Sequence, residues 1–221
     1  MSLPRPVRAV VFDMDGLLCD TETVYRDAMT AVAAERGHDF PFALFKSMVG
    51  LPSEASDRQV LAHFGEDYPI AEFNARVRER VAAACAIGIP LKAGVREMLD
   101  HLDALALPRA IATSSSHPSV EAHLGLSGVI PRFHAIVARG DYARGKPNPD
   151  PFLVAAERLG IEPEHCLALE DSHNGVRAAA AAGMMAVMVP DLLDVTDEMH
   201  ALCVRIARDL HEVRGWLTGG L

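Results

Sequence analysis

A chain of 221 residues, half of them hydrophobic and 23% charged, with a mean hydropathy of only +0.13, has the profile of a soluble globular enzyme with a large buried core. Its formal charge of −9 and its only three lysines, Lys46, Lys92 and Lys146, exclude nucleic acid as the expected partner, because phosphate backbones are held by clustered Lys and Arg. Cys19, Cys85, Cys166 and Cys203 form no CxxC pair, and no apolar run reaches the roughly 20 residues of a membrane span, so reduced thiols, no membrane partner and a cytoplasmic location are expected.

Met1–Arg8 carries two arginines and two prolines without a signal-peptide core, and leads into a strand-like run, Ala9–Phe12. Three stretches of helical composition follow, Thr21–Arg36, Ser53–Phe64 and Ala71–Ile87, broken by Gly37, Gly50, Pro52, Gly65 and Pro69. From Gly94 onward the patterns alternate. Helices are predicted at Gly94–Ala106, Pro118–Leu124, Pro149–Leu159 and Asn174–Ala182, with Gly160 and Gly183 as stops. Strands are predicted at Arg109–Thr113, Ala135–Ala138, Cys166–Leu169 and Met185–Val189. The alternation predicts an α/β protein with a doubly wound, Rossmann-like parallel sheet.

A strand-helix-strand unit needs only about 30 residues. Asp13 to Thr113 spans 100 residues, against 33 from Thr113 to Lys146 and 24 from Lys146 to Glu170. The first gap therefore holds an inserted α-helical domain, bounded here as residues 21–91, within an α/β core of residues 1–20 and 92–221.

Four polar clusters each follow a predicted strand and so converge on one sheet edge, where open parallel sheets bind ligands. The first is Asp13-Met14-Asp15-Gly16; the second is Thr113-Ser114-Ser115, read as hydroxyls and amides at a helix N-terminus. The third centres on Lys146, within Gly145-Lys146-Pro147-Asn148-Pro149-Asp150, and the fourth is Glu170-Asp171-Ser172. Singly, each also fits a strand exit, an N-cap or a solvated turn. Together they offer carboxylates, a lysine, a hydroxyl and free amides, a set suited to phosphoryl transfer with Mg²⁺ as counterion.

The motifs FDMDGLLCDT, ATSS, GKPNPD and LEDSHNG resemble, in order and spacing, those of the haloacid dehalogenase superfamily, in the group with a helical cap after the first motif. The layout is similar to sugar-phosphate and pseudouridine-5'-phosphate phosphatases. The resemblance implies a Mg²⁺-dependent phosphatase acting on a small phosphorylated metabolite (a sugar, polyol, nucleoside or glycolate phosphate) through an aspartyl phosphate. It implies Asp13 as nucleophile, Asp15 as acid and base, and Lys146 as a fixed positive charge. Thr113 and the Ser114 and Met14 amides would hold phosphate oxygens. The metal would take Asp13, Asp171 and the backbone carbonyl of Asp15, with Glu170 orienting a bound water.

Two other readings carry their own expectations. A β-phosphoglucomutase-like enzyme would need a histidine where Tyr25 stands, and a lysine and arginine at Val49 and Ser53 to grip a second phosphate. A non-catalytic binding protein on this fold should have lost one of Asp13, Asp15, Lys146 or Asp171, and all four are present. Substrate choice is expected at Tyr25 and Val49–Ser53. Asp141 is a loop residue open to either a substrate contact or solvation, His117 and His173 are read as helix-start residues, and Trp216 as packing. No pattern in the sequence sets an oligomeric state.

Overall fold

The computed structural model describes residues 3–49, 51 and 53–217. The strand β1, Ala9–Phe12, is buried along its whole length and lies inside a six-stranded sheet. The other strands are β2 Arg109–Ser116, β3 Ala135–Arg139, β4 Cys166–Glu170, β5 Met185–Met188 and β6 Arg205–Ile206. Their order is β3-β2-β1-β4-β5-β6 and every pairing is parallel. Strands covered on both faces read as continuous apolar runs, which is why Ala9–Phe12 and Cys166–Leu169 are legible without alternation.

The two faces of the sheet are chemically different. Val10, Phe12, Ile111, Leu167, Leu169 and Val187 point to one side, against helices α5 Val95–Ala104 and α10 Leu210–Leu217. Ala9, Val11, Ala110, Ala112 and Ala168 point to the other, against α7 Asp150–Leu159 and α8 His173–Ala181. Burying each large side chain on the first face contributes roughly 1.5–3 kcal/mol. The small residues on the second let α7 and α8 approach closely and bring their N-termini beside the strand ends.

Between β1 and α5 the chain forms α1 Thr21–Ala34, α2 Phe42–Met48, α3 Ser53–Phe64 and α4 Ile70–Ile87. These helices enclose a separate cluster that includes Val32, Phe40, Phe45, Phe73 and Val77. The entering and leaving strands of chain are hydrogen-bonded: the Asp20 N–H donates to Pro90 O at 2.9 Å and the Lys92 N–H to Leu18 O at 3.0 Å. Lys46 Nζ, on α2, donates to Asp194 Oδ2, in the segment after β5, at 2.7 Å. Among the described residues no helix is long and apolar enough to cross a membrane.

Two sequence expectations need correction. Helices α2, α9 Asp197–Leu202 and α10 and strand β6 have no counterpart in the sequence reading, because elements of two to eight residues are too short for periodicity to register. Thr113-Ser114-Ser115 does not sit at a helix N-terminus. Strand β2 continues to Ser116, past a register shift against β3, and α6 His117–Leu124 starts only afterwards. Its N-cap is Ser116, which accepts the Ser119 N–H at 3.3 Å, and Pro118 occupies the first turn, where its missing N–H costs nothing.

Candidate active site

Asp13 is the first residue beyond β1, and its N–H donates to Leu169 O at 2.9 Å, which ties the end of β1 to β4. A tight turn follows. The Met14 carbonyl accepts the N–H groups of Leu18 at 2.8 Å and Cys19 at 3.1 Å, and Gly16 takes a left-handed φ of +84°. Asp13 and Asp15 therefore stand at the carboxyl edge of the central strand.

Lys146 Nζ donates to carboxylate oxygens of both Asp13 and Glu170. The lysine comes from the loop before α7, its side chain is only 6% exposed, and its Nζ lies 5.1 Å from the centre of the Phe152 ring. Asp171 is buried beside them, and Asp13, Glu170 and Asp171 have oxygens within 4.8 Å of one another. The second Glu170 oxygen accepts the Ser172 N–H at 3.2 Å and hydroxyl at 3.0 Å. Three carboxylates thus crowd one ammonium.

The crowding shows in the proton affinities. Burial pushes Asp13 up to about 8, against the pull of Lys146 and with the help of Glu170 and Asp15. Burial, Asp13 and Glu170 likewise raise Asp171. Lys146 is raised, because Asp13 and Glu170 outweigh the burial that works against its charge. With its carboxylates ionised, the pocket carries an excess of two negative charges, the charge of one divalent cation.

Asp15 lies two residues from Asp13 in a different environment. His123 Nδ1 bonds to Oδ1 at 3.0 Å and the Ser115 hydroxyl donates to Oδ2 at 2.7 Å. Burial pushes its carboxyl upward, but these hydrogen bonds outweigh burial and hold it below the usual carboxylate range. Sequence reasoning missed Ser115 and His123 in this role. The findable signal was His123 itself, a polar residue on the same helix face as Val120 and Leu124, which pack into the core.

The remaining candidates are placed as follows. Thr113 is buried and its hydroxyl accepts the Ser115 N–H at 3.0 Å, while Ser114 is exposed beside it. The Met14 side chain is fully buried. Asp141 is engaged within the core: it accepts the Ala138 N–H at 3.0 Å and pairs with Arg158 and His117. His117 and His173 are the first residues of α6 and α8. In the insertion, Tyr25 is part-exposed on α1, Val49 packs partly into the insertion's own cluster, and Ser53 opens α3. Gly50 and Pro52 of the expected specificity loop lie outside the described residues. Glu22, not singled out from sequence, is pushed up to about 7 by burial and by Asp191 and Asp15.

The Asp13, Glu170 and Asp171 set fits a hard divalent cation, because its donors are all oxygen and its excess charge is what such an ion neutralises. A second metal-capable group, Asp15, Cys19 and His123, includes a thiol and an imidazole and does not suit Mg²⁺.

An all-parallel sheet with its polar strand ends gathered at one edge is that of a Rossmann-like α/β enzyme, and comparison with known proteins gives its family. The family model of haloacid dehalogenase-like hydrolases matches residues 7–183, and the chain belongs to that family. The chain is 38% identical over 196 residues to the probable pseudouridine-5'-phosphatase of Drosophila melanogaster, covering 85% of this chain and 83% of that protein. A haloacid dehalogenase family hydrolase from Deinococcus radiodurans, solved with phosphate and sodium, matches with a TM-score of 0.85 and 28% identity, over 97% of this chain and 96% of that one. A putative β-phosphoglucomutase from Thermotoga maritima matches with a TM-score of 0.83 and 28% identity, over 97% and 100%. Several relatives at 32–38% identity are named as phosphatases, and the chain is with them a phosphoric monoester hydrolase.

Proposed function

We propose that this enzyme is a Mg²⁺-dependent phosphatase of a small phosphorylated metabolite, of the sugar-phosphate class, that works through an aspartyl phosphate on Asp13. The observation that carries the reading is the division between Asp13 and Asp15. One is buried against Lys146 and two further carboxylates; the other, two residues on, is held by hydroxyl and imidazole donors. Neighbouring carboxyl groups in such unequal surroundings take unequal roles.

In the first step an Asp13 oxygen attacks phosphorus, the ester P–O bond breaks, and Asp15 delivers its proton to the departing oxygen, releasing an alcohol. In the second, water attacks the phosphorus of the aspartyl phosphate, Asp15 takes a proton from that water, and Asp13 leaves as carboxylate with inorganic phosphate as product. The donors around Asp15 favour the ionised form that the second step uses. The protonated form needed in the first is favoured when a phosphate dianion sits nearby. Lys146 supplies fixed positive charge at the transferring group, and Thr113 with the Ser114 and Met14 amides would hold its oxygens.

Asp13, Asp171 and the Asp15 carbonyl would hold Mg²⁺, with Glu170 ordering a bound water. The ion would neutralise the crowded carboxylates and the phosphate so that one anion can approach another. Residues 21–91 serve as a cap over the core of residues 1–20 and 92–221, hinged at the paired crossings beside Asp15, and carry substrate choice near Tyr25 and Ser53.

The test is phosphate release over a panel of sugar, polyol, nucleoside and glycolate phosphates, with and without Mg²⁺. Metal-dependent turnover of at least one is expected; turnover unaffected by chelation would sink the reading.

A further inference from the structure

We propose that His123 is a positioning residue for the reaction: with Ser115, it fixes the plane of the Asp15 carboxyl group for proton transfer. The proposal rests on Asp15 being the acid and base.

A carboxyl group at the end of an aspartate rotates easily, because its terminal torsion has a broad, twofold profile. Asp15 has further freedom. It stands in a turn after β1, ahead of Gly16 with φ +84°, and its side chain is 30% exposed. Proton transfer is sensitive to such freedom, since the group must come within hydrogen-bond reach of the ester oxygen and then of the attacking water. The structure removes it by binding the two carboxyl oxygens separately: Oδ1 to His123 Nδ1 at 3.0 Å, Oδ2 to the Ser115 hydroxyl at 2.7 Å. Two points of attachment define a plane, while each oxygen keeps a further lone pair for the proton it handles.

His123 is itself held. It is 9% exposed, on the face of α6 that packs Val120 and Leu124 into the core, and α6 is capped by Ser116. Sites carried on rigid elements keep their geometry better than sites on loops. A histidine that merely satisfies itself in a core would serve no better for facing a catalytic carboxyl group than for facing a backbone carbonyl. The hydrogen bond that His123 makes among the described residues goes to Asp15. Because an ionised carboxylate only accepts, Nδ1 carries a proton in this contact whether the ring is neutral or charged, so the role does not depend on the charge state of the histidine.

The test compares His123→Leu, His123→Asn and His123→Gln. The Asn amide nitrogen can stand where Nδ1 stands, whereas the Gln nitrogen falls nearer Nε2. Two first-turnover rates are read: release of the alcohol from the best sugar phosphate of the panel, whose poor leaving group needs a proton, and the burst of phenol from an aryl phosphate, which does not. His123→Leu is expected to slow the first by ~10–100-fold with KM little changed, the size of loss that misplacing a reacting group brings, and to leave the burst unchanged. His123→Asn should recover most of the rate and His123→Gln should not. In an Asp15→Asn background, His123→Leu should cost nothing more.

Equal losses on both esters, no difference between Asn and Gln, or a full additional loss in the Asp15→Asn background would each overturn the role. If His123→Leu does not fold, as judged by circular dichroism, the Asn and Gln pair decides alone. Undiminished sugar-phosphate turnover in Asp15→Asn would instead refute the acid-base reading of Asp15. Loss there with none in His123→Leu or His123→Gln would remove only the role of His123.

Discussion

A side chain on Gly16 would collide with Asp171: a Cβ built on the glycine overlaps Oδ2 of that carboxylate. The first and fourth motifs, far apart in sequence, are thus packed against each other at the point where the metal is proposed to bind. Gly16 also has φ +84°, which non-glycine residues adopt at a cost of roughly 1–2 kcal/mol. Gly16→Ala is therefore predicted to lower the melting temperature and, by displacing Asp171, to weaken Mg²⁺ activation. A calorimetric melt and a Mg²⁺ titration of turnover check this, and unchanged metal affinity would show that Asp171 had not been moved.

Metal and pH should act on stability together. Asp13, pushed up to about 8, and Asp171, also raised, bind protons in the folded state that the unfolded chain has already released. Their contribution is fully present below about pH 4, the ordinary carboxylate range, and is lost as pH rises toward 8. The metal-free protein should lose melting temperature over that window. Mg²⁺ stabilises the ionised carboxylates, so its stabilising effect should be larger at pH 8 than at pH 5.5. Melts in chelator and in Mg²⁺ at both pH values measure it; an equal gain at the two would contradict the assignment of Asp13 and Asp171 as ligands.

Asp13→Asn should fold, because Lys146 keeps Glu170 as a partner and the amide is close in size to the carboxylate. Its turnover should fall by about four orders of magnitude or more, the scale seen when a nucleophile is removed. In the wild-type enzyme, beryllofluoride should bind at Asp13. A variant with near-normal rate, or the analogue bound at another residue, would move the nucleophile elsewhere.

Products should distinguish hydrolysis from phosphoryl relocation. A mutase has to grip the far phosphate of a bisphosphate with cations, yet Val49 is apolar and packed inward, and Ser53 is neutral. Of the cations in the insertion, Arg76 pairs with Glu79 and Glu35 and Lys46 with Asp194, whereas Arg58 has no ion pair among the described residues and is one to watch in such a test. With glucose 1-phosphate or another sugar phosphate, free phosphate is expected as the product without any bisphosphate activator. Accumulation of an isomerised sugar phosphate with little free phosphate would reverse the assignment.

Five of the six strands and the polar edge of the sheet were legible in the residues alone. Buried parallel strands must be continuously apolar, so Ala9–Phe12 and Cys166–Leu169 declared themselves, and the polar residue that ends each run had to stand at the carboxyl edge. Spacing did the rest for Asp13, Lys146, Glu170 and Asp171, which the structure gathers into one buried cluster. What spacing could not carry was any partnership between side chains on different elements. Ser115 and His123 reach Asp15 from 100 and 108 residues away, through the pairing of β2 with β1 and the angle at which α6 leaves the sheet. The same holds for Asp141, whose loop position left it open until Ala138, Arg158 and His117 were found to occupy it. Local patterns record burial and chain direction, which act residue by residue. Which donor meets which acceptor is decided only when packing brings separate elements within the few ångströms over which hydrogen bonds act.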